Sequence, residues 1–292
     1  MIAASNAPPG YLLHLADNAL LLGQRNAEWC AHGPVLEEDI AMANISLDLI
    51  GQARMLYQHA ATVINAPTLA AEAAAFPAEG AFAPWGGPAA LKGGGGTEDS
   101  LAYFRDEKDF RNFTLLELPH HGPLARTVAA DRDYATTIVR NFLYSAFVLR
   151  QWDALQSSAD AQLAAIAAKS LKEVRYHLRH SRDWLVRLGD GTEESHARVQ
   201  AALEHLLPYT EEFWTVSPDE AEAIADGTGV DPRLLRQDWD SAVADALAEA
   251  TVCRPAGQGF LPRGKQGQHS EHLGYVLGEM QSLARQHPGA LW

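Results

Sequence analysis

The segment 43–60, ANISLDLIGQARMLYQHA, has apolar side chains on almost every side when it is drawn as a helix. A helix of that kind is typical of a protein core, because it offers no broad polar face to water. Asn44, Asp48 and Gln52 nevertheless recur at i, i+4 and i+8, and His59 extends the same polar row. The segment therefore predicts a core helix carrying side chains that could bind a metal ion or form hydrogen bonds across the core.

Helical periodicity dominates the rest of the chain, and no sustained alternation of polar and apolar residues indicates a β-sheet. Ser217 and Glu220 have the spacing of a capping box at the start of a short helix. The patterns predict longer helices at about residues 11–30, 36–64, 100–118, 123–157, 161–188, 192–214, 232–252 and 270–286.

The stretch 66–96 is rich in Ala, Gly and Pro and predicts a long, mobile crossover between helices. We therefore expect residues 1–292 to form one all-α domain, with four long core helices and additional peripheral ones. A long crossover of this kind favours a ferritin-like four-helix bundle over a simple up-and-down bundle.

Composition limits the classes of partner. The 292-residue chain has a formal net charge of −14, which argues against nonspecific binding to nucleic acid or to an anionic membrane surface. A local basic patch for a phosphorylated ligand stays compatible with that charge. The long apolar runs contain too many polar residues for a bilayer, and two cysteines without a CxxC pair favour a cytoplasmic location.

Ferritin-like bundles that bind two irons use a Glu on each of two helices and a Glu-x-x-His on each of the other two. The first helix offers Glu28 as a lone carboxylate. On the second helix, Asp48 is followed at i+3 by Gly51, so the Glu-x-x-His motif is absent there. The string from Glu117 to His120 crosses a proline at a helix end, and we interpret it as a chance match.

The other two long helices also lack the pattern. Glu173 meets Tyr176 at i+3, and the histidine is displaced to His177, while the helix from Tyr134 to Trp152 contains no acidic residue. We therefore predict that this chain binds no metal, has no catalytic residue, and keeps a vestigial-site polar network of Glu28, Asn44, Asp48, Gln52, Glu173 and His177. Arg25 and Arg54 are expected to replace the charge of a metal beside Glu28 and Asp48. An altered metal site built from Glu28, Asp48, Glu173 and His177 is the alternative.

Long segments of the sequence resemble a known family, the ferritin-like subunits of bacterial multicomponent phenylacetyl-CoA epoxidases, and within it the type that partners the di-iron subunit. The resemblance rests on residues 17–54, 98–112, 172–192 and 270–292. It implies a complex that epoxidises the aromatic ring of phenylacetyl-CoA with oxygen. The di-iron centre then belongs to the homologous catalytic A subunit, while a separate reductase supplies electrons from NADPH through FAD and an iron-sulfur cluster.

The resemblance implies that this chain binds no cofactor itself. Its expected partners are the A subunit, the other subunits and the reductase, with phenylacetyl-CoA at the interface as a further candidate. We expect association through the first two helices and the Tyr134 to Trp152 helix, because these have an apolar surplus. Two alternatives stay open: a di-metal oxygenase subunit with atypical ligands, and a helical scaffold unrelated to oxygenase chemistry.

Overall fold

The computed structural model describes residues 6–66, 96–121, 132–256, 261–288 and 290. Over these residues the chain is all-α, and apart from one isolated bridge between Arg263 and Gln268 no β-structure occurs in them. This confirms the predicted fold class. Nearly all of the predicted 66–96 crossover lies outside the described residues.

The described residues form helices at the following positions: α1 Pro9–Ala27, α2 Leu36–Asn65, α3 Glu98–Tyr103, α4 Thr114–Glu117, α5 Tyr134–Leu155, α6 Ala161–Gly189, α7 Glu193–Leu206, α8 Pro218–Ala225, α9 Arg236–Glu249 and α10 Glu271–Gln286. Short 3-10 helices lie among them, the longest at Leu207–Trp214. The predicted capping box at the start of α8 is confirmed, because the Ser217 hydroxyl accepts from the Glu220 N–H and the Glu220 carboxylate accepts from the Ser217 N–H.

The four long helices pack as two hairpins, α1 with α2 and α5 with α6. The first hairpin is antiparallel, because Asp17 of α1 bonds Tyr57 of α2, whereas Gly23, later in α1, lies against Leu49, earlier in α2. Gly23 allows the close approach of the two helices: a Cβ at that position would lie 3.2 Å from Leu49 and from Ile50. The second hairpin begins at α5, whose residues 135–148 are all buried, as expected for a core helix.

The predicted helix over residues 100–118 is wrong. The chain forms the short helices α3 and α4 there, and the segment between them contains a 3-10 turn at Glu107–Asp109 and extended backbone before and after it. Two side chains of α1 bind this intervening backbone: Asp17 Oδ2 accepts from the Arg111 N–H at 2.7 Å, and Asn18 Oδ1 accepts from the Phe113 N–H at 2.8 Å. These bonds replace the intrahelical ones, so the tertiary structure overrides the local helical preference.

The helix predicted over 123–157 begins at Tyr134 where it is described, and residues 122–131 lie outside the described part. None of the helices in the described ranges is long and apolar enough to cross a bilayer.

Candidate functional site

Three members of the polar row of α2, Asp48, Gln52 and His59, face α6 or its N-cap. Gln52 donates a hydrogen bond to Glu173 at 2.9 Å, and His177 Nε2 lies 3.0 Å from Asp48 Oδ2. Asp48 and Gln52, which are one turn apart on α2, thus form two separate pairs with residues of α6. His177 is buried, whereas 38% of the Asp48 side chain is exposed, so this pair lies at the edge of the core.

The row of pairs continues in both directions along the two antiparallel helices. Toward one end, His180 Nε2 lies 2.8 Å from a carboxylate oxygen of Glu38, which also accepts the Tyr134 hydroxyl at 2.6 Å. Toward the other end, His59 Nε2 lies 2.6 Å from Asp160 Oδ2. Burial raises the pKa of Asp160, but its hydrogen bonds from His59 and from the backbone outweigh burial and lower that pKa.

We call this series the cross-helix ladder: Glu38–His180, Asp48–His177, Gln52–Glu173 and Asp160–His59. Each pair joins α2 to α6 or to the residue that caps it, since Asp160 is the N-cap of α6. Every ladder carboxylate is therefore already bonded to a side chain of the protein, which satisfies polar groups that would otherwise be costly to bury.

The remaining predicted site residues lie elsewhere. Glu28 is the C-cap of α1 and forms an ion pair with Arg25 at 2.7 Å, as the proximity of these two residues in sequence had indicated. Asn44 is exposed on α2 and no side-chain hydrogen bond is formed by it within the described structure. Arg54 does not neutralise Asp48: it is exposed and lies 3.6 Å from Glu98.

The described residues do not fit a di-iron site. Such a site needs several carboxylates and two imidazoles converging on one point. Among the residues that the structure covers, no group of three or more His, Cys, Asp or Glu side chains is arranged to hold a metal. The ladder instead spreads its acidic groups along about 30 Å of helix, at 1.5 Å per residue from Glu38 to His59.

Sequence reasoning missed a buried ionic cluster between α1, α2 and the segment after α3. Asp17 forms a two-oxygen ion pair with the fully buried Arg105, and it also accepts the Tyr57 hydroxyl at 2.5 Å. Burial lowers the pKa of Arg105, but the charges of Asp17 and Tyr57 and the hydrogen bond to Asp17 together outweigh burial and raise this pKa above its ordinary value. The available signal was Asp17 itself, a lone carboxylate within the apolar run of the first helix.

A second buried cluster contains Glu117 and His120, whose Glu-x-x-His spacing was interpreted as a chance match to the metal motif. Glu117 is fully buried, and its carboxylate lies 2.8 Å from His269 Nδ1 and accepts the Ser270 N–H at 2.5 Å. His120 is also buried, and its Nδ1 accepts from Arg140 at 2.8 Å. Both residues thus hold distant segments together, although they bind different partners and form no shared metal site.

Arg140 is an unusual member of this region because its fully buried guanidinium has no carboxylate within 4.0 Å in the described structure. Burial, and then the charge of Arg25, lower the pKa of Arg140 to about 9. His120 is its neutral acceptor: burial, followed by the charge of Arg140, holds the pKa of His120 well below its ordinary value. The Nε2–H of His120 then donates to the Arg25 carbonyl at 2.6 Å.

The outward side of α2 carries four exposed apolar side chains. Leu36 is 72% exposed and Leu47 is 66% exposed, and Ile40 and Ile50 are exposed on the same side. Positions 36, 40, 47 and 50 follow helical spacing, so they form one stripe, which we call the apolar row. In contrast, α1 and α5 are buried almost throughout within this chain. Their apolar surplus fills the core, and the prediction that they also supply an association surface is wrong.

The fold and these contacts define a class: an all-α, ferritin-like bundle whose central acidic groups are bonded to protein side chains. Residues 2–292 match the family described as phenylacetic acid catabolic protein, and the chain belongs to that family. It is also 39% identical over 287 residues to the C subunit of the 1,2-phenylacetyl-CoA epoxidase of Escherichia coli strain K12. The match covers 98% of this chain and 100% of that relative. The resemblance found from the sequence segments is therefore confirmed.

Proposed function

We propose that this chain is a structural, non-catalytic subunit of a multicomponent phenylacetyl-CoA epoxidase that acts in aerobic phenylacetate degradation. It pairs with a homologous catalytic subunit that provides a di-iron centre. A reductase supplies electrons from NADPH through FAD and an iron-sulfur cluster. Full-length similarity to the C subunit of the Escherichia coli enzyme supports this assignment. The exposed free cysteines Cys30 and Cys253 fit a reducing cytoplasm.

The cross-helix ladder is the observation that carries the non-catalytic role. Two helices of a di-iron bundle must leave carboxylate and imidazole lone pairs directed at the metals. In this chain, Asp48 is bonded to His177, and Glu173 accepts from Gln52. These side chains therefore form hydrogen bonds that hold α2 against α6.

The apolar row supports the proposed association of this chain with the catalytic homologue. An exposed apolar stripe on a long surface helix is typical of a protein interface. Obligate interfaces bury more than about 2,000 Å² and resemble a core divided between two chains. We propose that the catalytic homologue covers α2 and that this chain supports the helices of that subunit from outside its active site.

The test combines metal analysis with association. The purified chain is expected to hold far less than one iron, and to bind the catalytic homologue in a co-purification assay. Leu47→Glu is expected to weaken this binding at least about tenfold by placing a charge in an apolar contact. The matched control is Leu234→Glu, at a position that is 77% exposed and lies away from α2. Circular dichroism should show that both variants stay helical.

Two outcomes would favour the alternatives. About two irons per chain, the content of a di-iron bundle, would indicate an oxygenase subunit with atypical ligands. Failure of the wild-type chain to bind the homologue, under conditions where the homologue is active alone, would instead indicate a helical scaffold. Equal effects of Leu47→Glu and Leu234→Glu would reject α2 as the docking surface but leave the subunit assignment in place.

A further inference from the structure

The exposed side of α6 is basic in a chain whose net charge is −14. Its exposed cations at neighbouring turns are Lys169, Lys172, Arg175 and Arg179, which we call the basic row. At 100° per residue, Lys172, Arg175 and Arg179 fall within about 60° of one another around the helix axis. Concentrating positive charge on one side of one helix creates a local field opposite in sign to that of the whole molecule.

The basic row also forms no close ion pair within the described structure, although Arg175 lines a surface pocket together with Asp153, Asp238 and Asp245. Many other surface cations have an acidic partner, such as Arg182 with Glu249. In the described structure, no carboxylate lies within 4.0 Å of any cation of the basic row. The Lys169 ammonium instead approaches the Met55 sulfur at 3.7 Å, and Arg179 lies over the Tyr176 ring at 5.6 Å. Four exposed cations without a close ion pair are unexpected where acidic residues outnumber basic ones.

The basic row and the apolar row lie on neighbouring helices that the cross-helix ladder joins directly. Around the axis of α2, Met55 lies between the ladder residues and the apolar row. Around the axis of α6, Lys169 lies between the ladder residues and the other three cations of the basic row. Since Met55 and Lys169 contact each other, both rows lie on the same side of this helix pair. One surface therefore combines an apolar stripe with a flanking basic stripe that includes an exposed tyrosine.

This combination is typical of a protein interface, in which apolar side chains form the centre while Arg and Tyr are enriched. Nucleic acid is disfavoured, since the overall negative charge opposes it and the apolar row would contribute nothing to phosphate contacts. A partner protein with carboxylates beside an apolar stripe complements both rows.

We propose that the partner covering the apolar row presents carboxylates to the basic row, and that this charge pairing accelerates docking and sets its orientation. This inference rests on the proposed function, because it names the chemistry by which the same partner is recognised. Exposed charges at the edge of an interface act mainly on the association rate and on its salt dependence.

The test compares two double variants that change the net charge equally. Lys172→Glu/Arg179→Glu reverses the basic row, whereas Lys108→Glu/Arg263→Glu reverses two exposed cations outside α6. Stopped-flow association with the catalytic homologue is measured at low salt and at about 1 M salt, where the screening length is about 3 Å. We expect the α6 variant to associate at least about tenfold more slowly at low salt and the control within about twofold of wild type. The two rates should converge at high salt.

Several results would overturn the inference. Equal slowing in both variants would show a general charge effect, and no slowing in either would show that the partner does not contact the basic row. Either result leaves the proposed function standing, because binding itself persists. Binding of a short DNA duplex or of phosphatidylserine vesicles that Lys172→Glu/Arg179→Glu removes, with unchanged partner association, would assign the row to another ligand. Failure of the wild-type chain to bind the homologue would reject the proposed function and this inference together.

Discussion

Asp17 and Asp48 lie on adjacent helices of the same hairpin, but their surroundings differ. Asp17 is fully buried against Arg105, whereas Asp48 is 38% exposed and bonds only His177. Breaking a buried pair leaves an uncompensated charge, but a partly exposed pair is screened by water. The two aspartates therefore contribute very differently to stability.

We expect Asp17→Asn to lower the free energy of unfolding by about 3–5 kcal/mol, because Arg105 then stays buried without its counterion. Asp48→Asn should cost less than about 1 kcal/mol and leave the activity of the complex largely intact. Urea denaturation followed by circular dichroism measures the change in unfolding free energy of both variants. Similar losses in the two variants would contradict the assignment of the main structural ion pair to Asp17.

His269 gives a prediction about pH. Burial lowers its pKa, but the hydrogen bond and charge of Glu117 outweigh burial and raise the pKa above its ordinary value. A raised pKa in the folded state stabilises the protein fully below the unfolded-state pKa, and the stabilisation is lost as pH rises through the folded-state value. His269→Gln should therefore lower unfolding free energy more at about pH 5.5 than at about pH 9.

Urea titrations of His269→Gln at the two pH values test this sign, with His287→Gln at an exposed position as the control. The control is expected to change little at either pH. A larger effect of His269→Gln in alkali would mean that the ion pair with Glu117 does not form in solution.

At the scale of elements, the segment between α3 and α4 is held by α1. Asn18 is buried and its side-chain oxygen accepts the Phe113 N–H. Asn18→Leu removes this acceptor, and an unpaired buried N–H costs about 1–3 kcal/mol. We expect faster amide hydrogen exchange at Phe113 and its neighbours while α5 keeps its protection. Unchanged exchange at Phe113 would show that another group holds this segment.

The helices themselves were largely predictable because their signals are local. The predicted start of the second helix at residue 36 matches Leu36–Asn65, and 161–188 matches Ala161–Gly189 within one residue. The segment 100–118 was not predictable, because its helical pattern is overridden by Asp17 and Asn18, which are about ninety residues away in the chain. Local propensity contributes less than such buried hydrogen bonds.

At the scale of the whole molecule, the chain encloses its own core and still leaves the apolar row of α2 exposed. Without its partner, such a surface favours self-association, so we expect a homo-oligomer that Leu47→Glu converts to monomer. With the catalytic homologue present, a hetero-oligomer should replace it. Light scattering with size-exclusion chromatography measures both states. A wild-type monomer at all concentrations would argue that the apolar row does not drive association.

The sequence by itself determined the all-α class, most helix bounds, the polar row of α2 and membership of the family. Helical periodicity, capping residues and long family-like segments depend only on residues that are close together in the chain. Only the tertiary structure decided which groups meet. It paired Asp48 with His177 rather than with Arg54, and it left Asn44 in solvent. It also showed that no carboxylate within the described ranges lies within 4.0 Å of a cation of the basic row of α6. Ion pairs and interfaces depend on distances between helices, which the packing of the whole core sets and no local pattern encodes.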